Sequence, residues 1–189
     1  MKITKELLKE KGACADGYRD FLKEYPVDKY PDGVEYQELL DCCAEKNFSY
    51  GSWLLGAFGK TDEVRKIEGD LIVEKGIIFA GQLEVKGCIE AGDGIEAGYG
   101  IKAGCGIEAG CGIEAGWGIE AGWGIKAGED IEAGYGIEAG WGIEAGDEFG
   151  IYAGLCRRIT DKTQRKIIAK ERPKNIMCGE FEEKKDDAV

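Results

Sequence analysis

Residues Gly112–Gly128 read GIEAGWGIEAGWGIKAG. Every sixth residue is isoleucine, alanine stands two places later, and a charge lies between them. Ile-Glu-Ala is apolar-polar-apolar, the period-two signature of a short strand with one buried face. The Gly-x-Gly that follows marks a corner, and glycine is the residue that tolerates φ > 0 there. Working outward, the aliphatic position recurs at Leu71, Ile77, Leu83, Ile89 and on to Ile143, thirteen times at one spacing. It returns at Ile151 after a two-residue slip across residues 147–150. The second inward position is Val73, Phe79 and Val85, then alanine from Ala91 to Ala145. Strand and corner alternating at a fixed period define a solenoid, because one hexad buries nothing alone while stacked coils bury a continuous column.

The variable fifth position sets the size of a coil. In order it is Lys75, Gly81, Gly87, Asp93, Tyr99, Cys105, Cys111, Trp117, Trp123, Glu129, Tyr135, Trp141 and Asp147. Sorted in threes, one column is Lys75, Asp93, Cys111, Glu129 and Asp147. A second is Gly81, Tyr99, Trp117 and Tyr135, and a third is Gly87, Cys105, Trp123 and Trp141. Polar residues then share one edge and the aromatics share two, whereas sorting in pairs mixes them. We therefore expect a mainly β protein, a triangular parallel β-solenoid of about 18 residues per coil, spanning 65–154. Aromatics stacked along an edge can pack on one another or be offered to a partner.

The flanks differ from the repeat. Residues 1–64 carry helical signals: Thr4 as an N-cap before Lys5-Glu6-Leu7-Leu8, a stop at Gly12, and a second helix with Tyr18, Phe21 and Leu22 on one stripe ending before Pro26. Further helices are expected from Gly33 and from Ser49. Residues 155–189 are expected to give short strands at 165–169 and 175–178, with a frayed charged end from Phe181. An open solenoid end exposes strand edges, so the helical segment and the C-terminal segment are expected to serve as an α-helical and a short β cap.

Charge is uneven. The chain carries −12 overall. Residues 65–156 hold 6 Lys/Arg against 17 Asp/Glu, whereas residues 157–189 hold 10 against 7. Direct nucleic-acid binding by the repeat is disfavoured, since phosphate contact needs cationic surface. The basic stretch Arg157, Arg158, Lys162, Arg165, Lys166, Lys170, Arg172 and Lys174 is expected to neutralise the acidic repeat or to hold a second copy. No run of apolar residues is long enough to span a membrane and no secretion signal is evident. The expected compartment is the cytoplasm, with the eight cysteines kept as thiols.

The residue following each inward Ile also sorts into columns. One face reads Glu90, Glu108, Lys126, Glu144; a second Glu96, Glu114, Glu132; a third Lys102, Glu120, Glu138. Only the second has no lysine to relieve like charges stacked one strand apart. Candidate chemistry is sparse. The chain has no histidine and no C-x-x-C pair, so neither a zinc centre nor a histidine base is expected. Vicinal Cys42-Cys43 reads as helix core. The acids Asp93, Glu129, Asp130, Asp147 and Glu148 gather on one edge, which keeps carboxylate chemistry or Ca²⁺ binding as a third alternative. We expect no enzyme and no cofactor.

Three resemblances bear on function. The six-residue period with its isoleucines, over 71–154, resembles the hexapeptide-repeat left-handed β-helix that often carries acyltransferases. It departs in lacking the base histidine and in placing Trp, Tyr or Asp where that family has a small residue. The shape and charge are similar to pentapeptide-repeat proteins that mimic DNA. The layout of a helical head, Gly-Ile-Glu-Ala-Gly-Trp repeats and a short tail is similar to repeat proteins of bacteria and their phages. These resemblances, with the acidic repeat, lead us to expect a non-catalytic protein-binding module. Its most concrete form is a phage or mobile-element inhibitor, anti-CRISPR-like, that occupies a nucleic-acid-binding protein by polyanion mimicry. The residues expected to meet the partner are Glu96, Glu114, Glu132, Tyr99, Trp117, Tyr135, Trp123 and Trp141. The alternative is a structural, self-associating solenoid, with a homodimer as the assembly.

Overall fold

The computed structural model describes residues 1–46, 49–155 and 161–185. The chain divides into two compact units, Met1–Gly59 and Lys60–Val189.

The first unit is helical: α1 (Lys5–Glu10), α2 (Ala15–Glu24), α3 (Tyr36–Glu45) and α4 (Gly51–Phe58). Thr4 caps α1, its hydroxyl accepting from the Leu7 amide at 3.2 Å. Leu8, Phe21, Leu39, Leu40, Cys43 and Leu54 form the core. The Tyr36 hydroxyl reaches the carbonyls of Leu54 and Gly59, each at 3.1 Å. The third helix begins later than the sequence suggests. Val34–Glu35 pairs antiparallel with Lys2–Ile3, so these residues are extended and helix starts at Tyr36. Gly33 makes this pairing fit: its φ is +83°, and a Cβ there would stand 2.4 Å from the Ile3 carbonyl oxygen.

The second unit is a parallel β-solenoid with three sheets. The first sheet stacks Leu71–Val73, Ile89–Ala91, Ile107–Ala109, Ile125–Ala127 and Ile143–Glu144. The second stacks Ile77–Phe79, Ile95–Ala97, Ile113–Ala115, Ile131–Ala133, Ile151–Ala153 and Ile176–Cys178. The third stacks Val64–Ile67, Gln82–Val85, Ile101–Ala103, Ile119–Ala121, Ile137–Ala139, Lys166–Ala169 and Glu180–Glu183. Ile89 pairs with Ile107, Ile95 with Ile113 and Ile101 with Ile119, each 18 residues on. Three hexads therefore close one coil, as the aromatic sorting requires. The isoleucines from Ile89 to Ile143 are at most 3% exposed; the alanines from Ala91 to Ala139 are buried with them, and Ala145 is partly buried.

The corner glycines are needed for a different reason from the expected one. Among the described residues, the glycines with positive φ are Gly12, Gly33, Gly59, Gly154 and Gly179, none of them in the thirteen unbroken hexads from Leu71. What the first corner glycine supplies is close approach of backbone. A Cβ at Gly122 would stand 2.0 Å from the Gly104 carbonyl oxygen, and at Gly110 2.1 Å from that of Gly92.

Both ends of the solenoid unit carry departures from the hexad. Register places Arg65 level with Leu83, an inward position, and its guanidinium lies 4.5 Å from the centroid of the Phe79 ring. A cation on an aromatic face thus ends the aliphatic column. At the other end Ile131 pairs with Ile151, twenty residues on, so the two-residue slip is absorbed in one corner. The Asp130 carboxylate accepts from the Gly150 amide at 2.7 Å and fixes that bulge. The expected strands near 165–169 and 175–178 are present as Lys166–Ala169 and Ile176–Cys178. The end expected to fray is instead ordered over Glu180–Glu183, which pairs in register with Lys166–Ala169. Phe181 packs on the core there, and Glu180 and Glu182 pair with Arg165 and Lys166.

Candidate protein-binding faces

Outward residues of each sheet stand one per coil, about 4.8 Å apart. On the third sheet Lys66 pairs with Glu84 at 3.4 Å and Lys102 with Glu120 at 2.8 Å. Hydrogen bonding to Glu120 raises the Lys102 pKa above its ordinary value. On the first sheet Lys126 pairs with Glu108 at 3.3 Å. The second sheet differs. Register stacks Ile78, Glu96, Glu114, Glu132 and Tyr152, a column without lysine. Burial, then the charges of Glu114 and Asp130, hold the Glu132 carboxyl above the usual carboxylate range.

The three corner columns form as sorted as far as Glu129, Tyr135 and Trp141; beyond Glu129 it is the Gly146 amide, not that of Asp147, that meets the Glu129 carbonyl, at 3.3 Å. Backbone hydrogen bonds run Trp117 N to Tyr99 O and Tyr135 N to Trp117 O, each 3.0 Å. They run Trp123 N to Cys105 O at 3.2 Å and Trp141 N to Trp123 O at 2.9 Å. The two aromatic columns then behave differently. Beside the carboxylate face, Tyr99 and Trp117 pack with ring centroids 5.0 Å apart, and Trp117 and Tyr135 at 5.1 Å. Lys60 lies over this column, its Nζ 4.0 Å from the Tyr99 centroid. On the opposite side of the third sheet, Trp123 and Trp141 are 67% and 60% exposed. Packing and presentation, alternatives in the sequence, are each realised on a different edge. Lys60 lies outside the repeat, and only the spatial meeting reveals it.

The polar edge brings Asp93, Cys111 and Glu129 into one backbone-bonded column. Burial, then Glu129 and Asp93, raise the Cys111 thiol. Among the described residues no group of three or more His, Cys, Asp or Glu side chains is arranged to hold a metal ion. Cys43 of the vicinal pair is buried in the helical core, which pushes its thiol up to about 12.

The basic segment is engaged within its own unit. Arg165 and Lys166 pair with the terminal strand, Lys170 Nζ lies 5.1 Å from the Trp141 centroid, and Arg172 lies 5.3 Å from that of Phe181. Arg157 and Arg158 lie outside the described residues.

The helical unit holds one feature the sequence did not signal, a cavity of about 330 Å³ whose walls include Phe21, Tyr25, Leu39, Cys43, Tyr50 and Trp53. Its two carboxylates have partners: Asp20 accepts from the Tyr50 hydroxyl at 3.1 Å and Glu24 pairs with Lys46. Among the described residues no helix is long and apolar enough to cross a membrane. Comparison with protein families, with curated proteins and with solved structures finds no match to this chain.

Proposed function

We propose that this protein is a non-catalytic, acidic protein-binding module that acts in the cytoplasm. Its second sheet docks on the cationic surface of a nucleic-acid-binding protein and occupies it as a polyanion would. The observation that carries this reading is the in-register column Glu96-Glu114-Glu132, in which no lysine interrupts the like charges. Stacked carboxylates repel. Burial, then the charges of Glu114 and Asp130, raise the Glu132 pKa, and a row of arginines on a partner would favour its charged form. The adjoining Tyr99-Trp117-Tyr135 column is packed into a firm edge, with Trp117 44% exposed, and supplies apolar contact beside the charges. A solenoid scaffold holds both columns at fixed spacing, so little order is lost on binding. In its most concrete form the module is an inhibitor carried by a phage or mobile element.

The test is capture of host proteins on the tagged chain, repeated with competing double-stranded DNA and with Glu114→Lys. The reading requires a nucleic-acid-binding protein that DNA displaces and that the charge reversal no longer captures. Capture that survives both changes overturns it.

A further inference from the structure

We infer that the exposed edge carrying Trp123 and Trp141 is a second, separate recognition site, and that it takes the guanidinium groups of an arginine-bearing segment of a partner protein. It extends the binding role proposed above and rests on that role in taking a protein as the partner. Its residues are on another edge.

Trp123 and Trp141 stand in successive coils of one corner column and expose most of their surface. They border a groove of about 460 Å³ along the first sheet. Its other walls include the carboxylates of Glu108, Glu144 and Glu171 and one cation, Lys126, which is paired with Glu108. Glu171 is brought there by the chain itself, since the amides of Lys170 and Glu171 both donate to the Trp141 carbonyl, at 2.8 and 3.2 Å. Two indole faces beside a net negative wall define the ligand chemistry. A planar cation stacks on indole while its N–H groups meet carboxylates, and guanidinium satisfies both demands better than ammonium. The molecule uses this contact on itself: Lys170 lies over Trp141, and Lys60 closes the neighbouring Tyr99-Trp117 column.

The groove floor points the same way. Gly106, Gly124 and Gly142 are level with one another and with Cys88, so a side chain is compatible with this position. A Cβ at Gly124 would make ordinary contact, 3.6 Å from the Gly142 oxygen, and one at Gly142 would meet nothing within 4 Å. At the glycines of the other two corners the contacts are tighter, 3.2 Å at Gly94, Gly100 and Gly118, 3.3 Å at Gly112 and 3.0 Å at Gly136, although Gln82 and Asp130 stand level with Gly100 and Gly112. Backbone crowding favours glycine there. Along the groove it does not, whereas keeping the approach to the indoles clear does.

The experiment is calorimetric titration of the full chain with capped hexa-arginine and hexa-lysine peptides at about 150 mM salt, where bulk attraction is screened. Hexa-arginine is expected to bind about tenfold tighter than hexa-lysine, roughly the effect of one desolvated cation–π contact. Trp123→Ala with Trp141→Ala should bring the two peptides to equal affinity. Gly124→Ala, which narrows the groove without crowding the backbone, should lower the preference. Glu114→Lys, on the second sheet, should weaken both peptides alike and leave their ratio intact. Equal affinities in the unaltered chain overturn the assignment, as does a preference that survives loss of both indoles. Collapse of the ratio in Glu114→Lys moves the site to the carboxylate column. Binding of a neutral β-linked oligosaccharide at the tryptophans without arginine preference replaces the proposed ligand with a sugar. A retained ratio alongside failed DNA competition would instead sink the polyanion reading and leave this site standing.

Discussion

Gly140 runs so close to the carbonyl of Gly122 that a Cβ on Gly140 would stand 1.8 Å from that oxygen. The same approach recurs up each corner, so the first glycine of each Gly-x-Gly is set by the gap between coils. The second is not under this constraint along the Trp123-Trp141 edge.

Two alanine substitutions separated by one residue should therefore differ sharply. Gly122→Ala meets backbone that cannot move away without opening the ladder, and should cost about 3 kcal/mol, the upper range for overpacking. Gly124→Ala meets ordinary contact and should be neutral or stabilising by up to about 1 kcal/mol through the unfolded state. Denaturant titration of both variants checks this; equal effects would show that the corners relax.

Reversing the charge at the centre of the carboxylate column should separate stability from binding. Glu114→Lys sits between Glu96 and Glu132, replacing two stacked repulsions with two attractions. Stability should rise by about 0.5 kcal/mol, while capture of a cationic partner is lost. A variant that is destabilised would mean Glu114 has a structural task that register does not reveal.

The coil could be read from the sequence because the hexad constrains it twice. Inward Ile and Ala fix the strand, and Tyr99, Trp117 and Tyr135 fall on one edge only when three hexads close a turn. What could not be read depends on contacts between residues far apart in the chain. Val34–Glu35 is extended because Lys2–Ile3 lies beside it. Glu180–Glu183 looks like a charged tail, and becomes a strand because Lys166–Ala169 offers an edge with Arg165 and Lys166 placed to meet its acids. The glycine corners were recognised for the right residues and the wrong reason, since a crowded carbonyl 18 positions away leaves no local signature. The division of the five aromatics into a packed and an exposed column was equally hidden.

Stability should carry a pH signature from Glu132. Burial and like charges raise its folded pKa above the ordinary 4.5. The folded state therefore binds this proton more tightly than the unfolded state does. Its contribution favours folding at pH below the ordinary value and is lost as pH rises through the raised one. Glu132→Gln removes the loss. The variant should gain stability relative to the unaltered chain as pH climbs from about 4 towards neutrality, with no gain at the acid end. Other acids, such as Glu180 held low by Arg165, impose the opposite slope, so the difference between the two chains is the quantity to measure. A pH-independent difference would show that Glu132 is solvated like a free carboxylate.

Cys88 and Cys105 offer a local check on the corner geometry. The Cys105 amide donates to the Gly87 carbonyl at 3.1 Å, which brings the two thiols together on adjacent coils. A hydrogen bond with Cys88 is the main cause of a raised Cys105 pKa, followed by burial and by the charges of Cys88 and Asp70. Alkylation proceeds through the thiolate. Cys88→Ala should therefore shift the pH–rate profile of Cys105 alkylation to lower pH, with a several-fold faster rate near pH 8. Peptide mapping by mass spectrometry isolates Cys105 from the other thiols. A faster rate with an unmoved midpoint would mean that Cys88 only shields its neighbour, and an unchanged profile would mean that the two thiols do not meet.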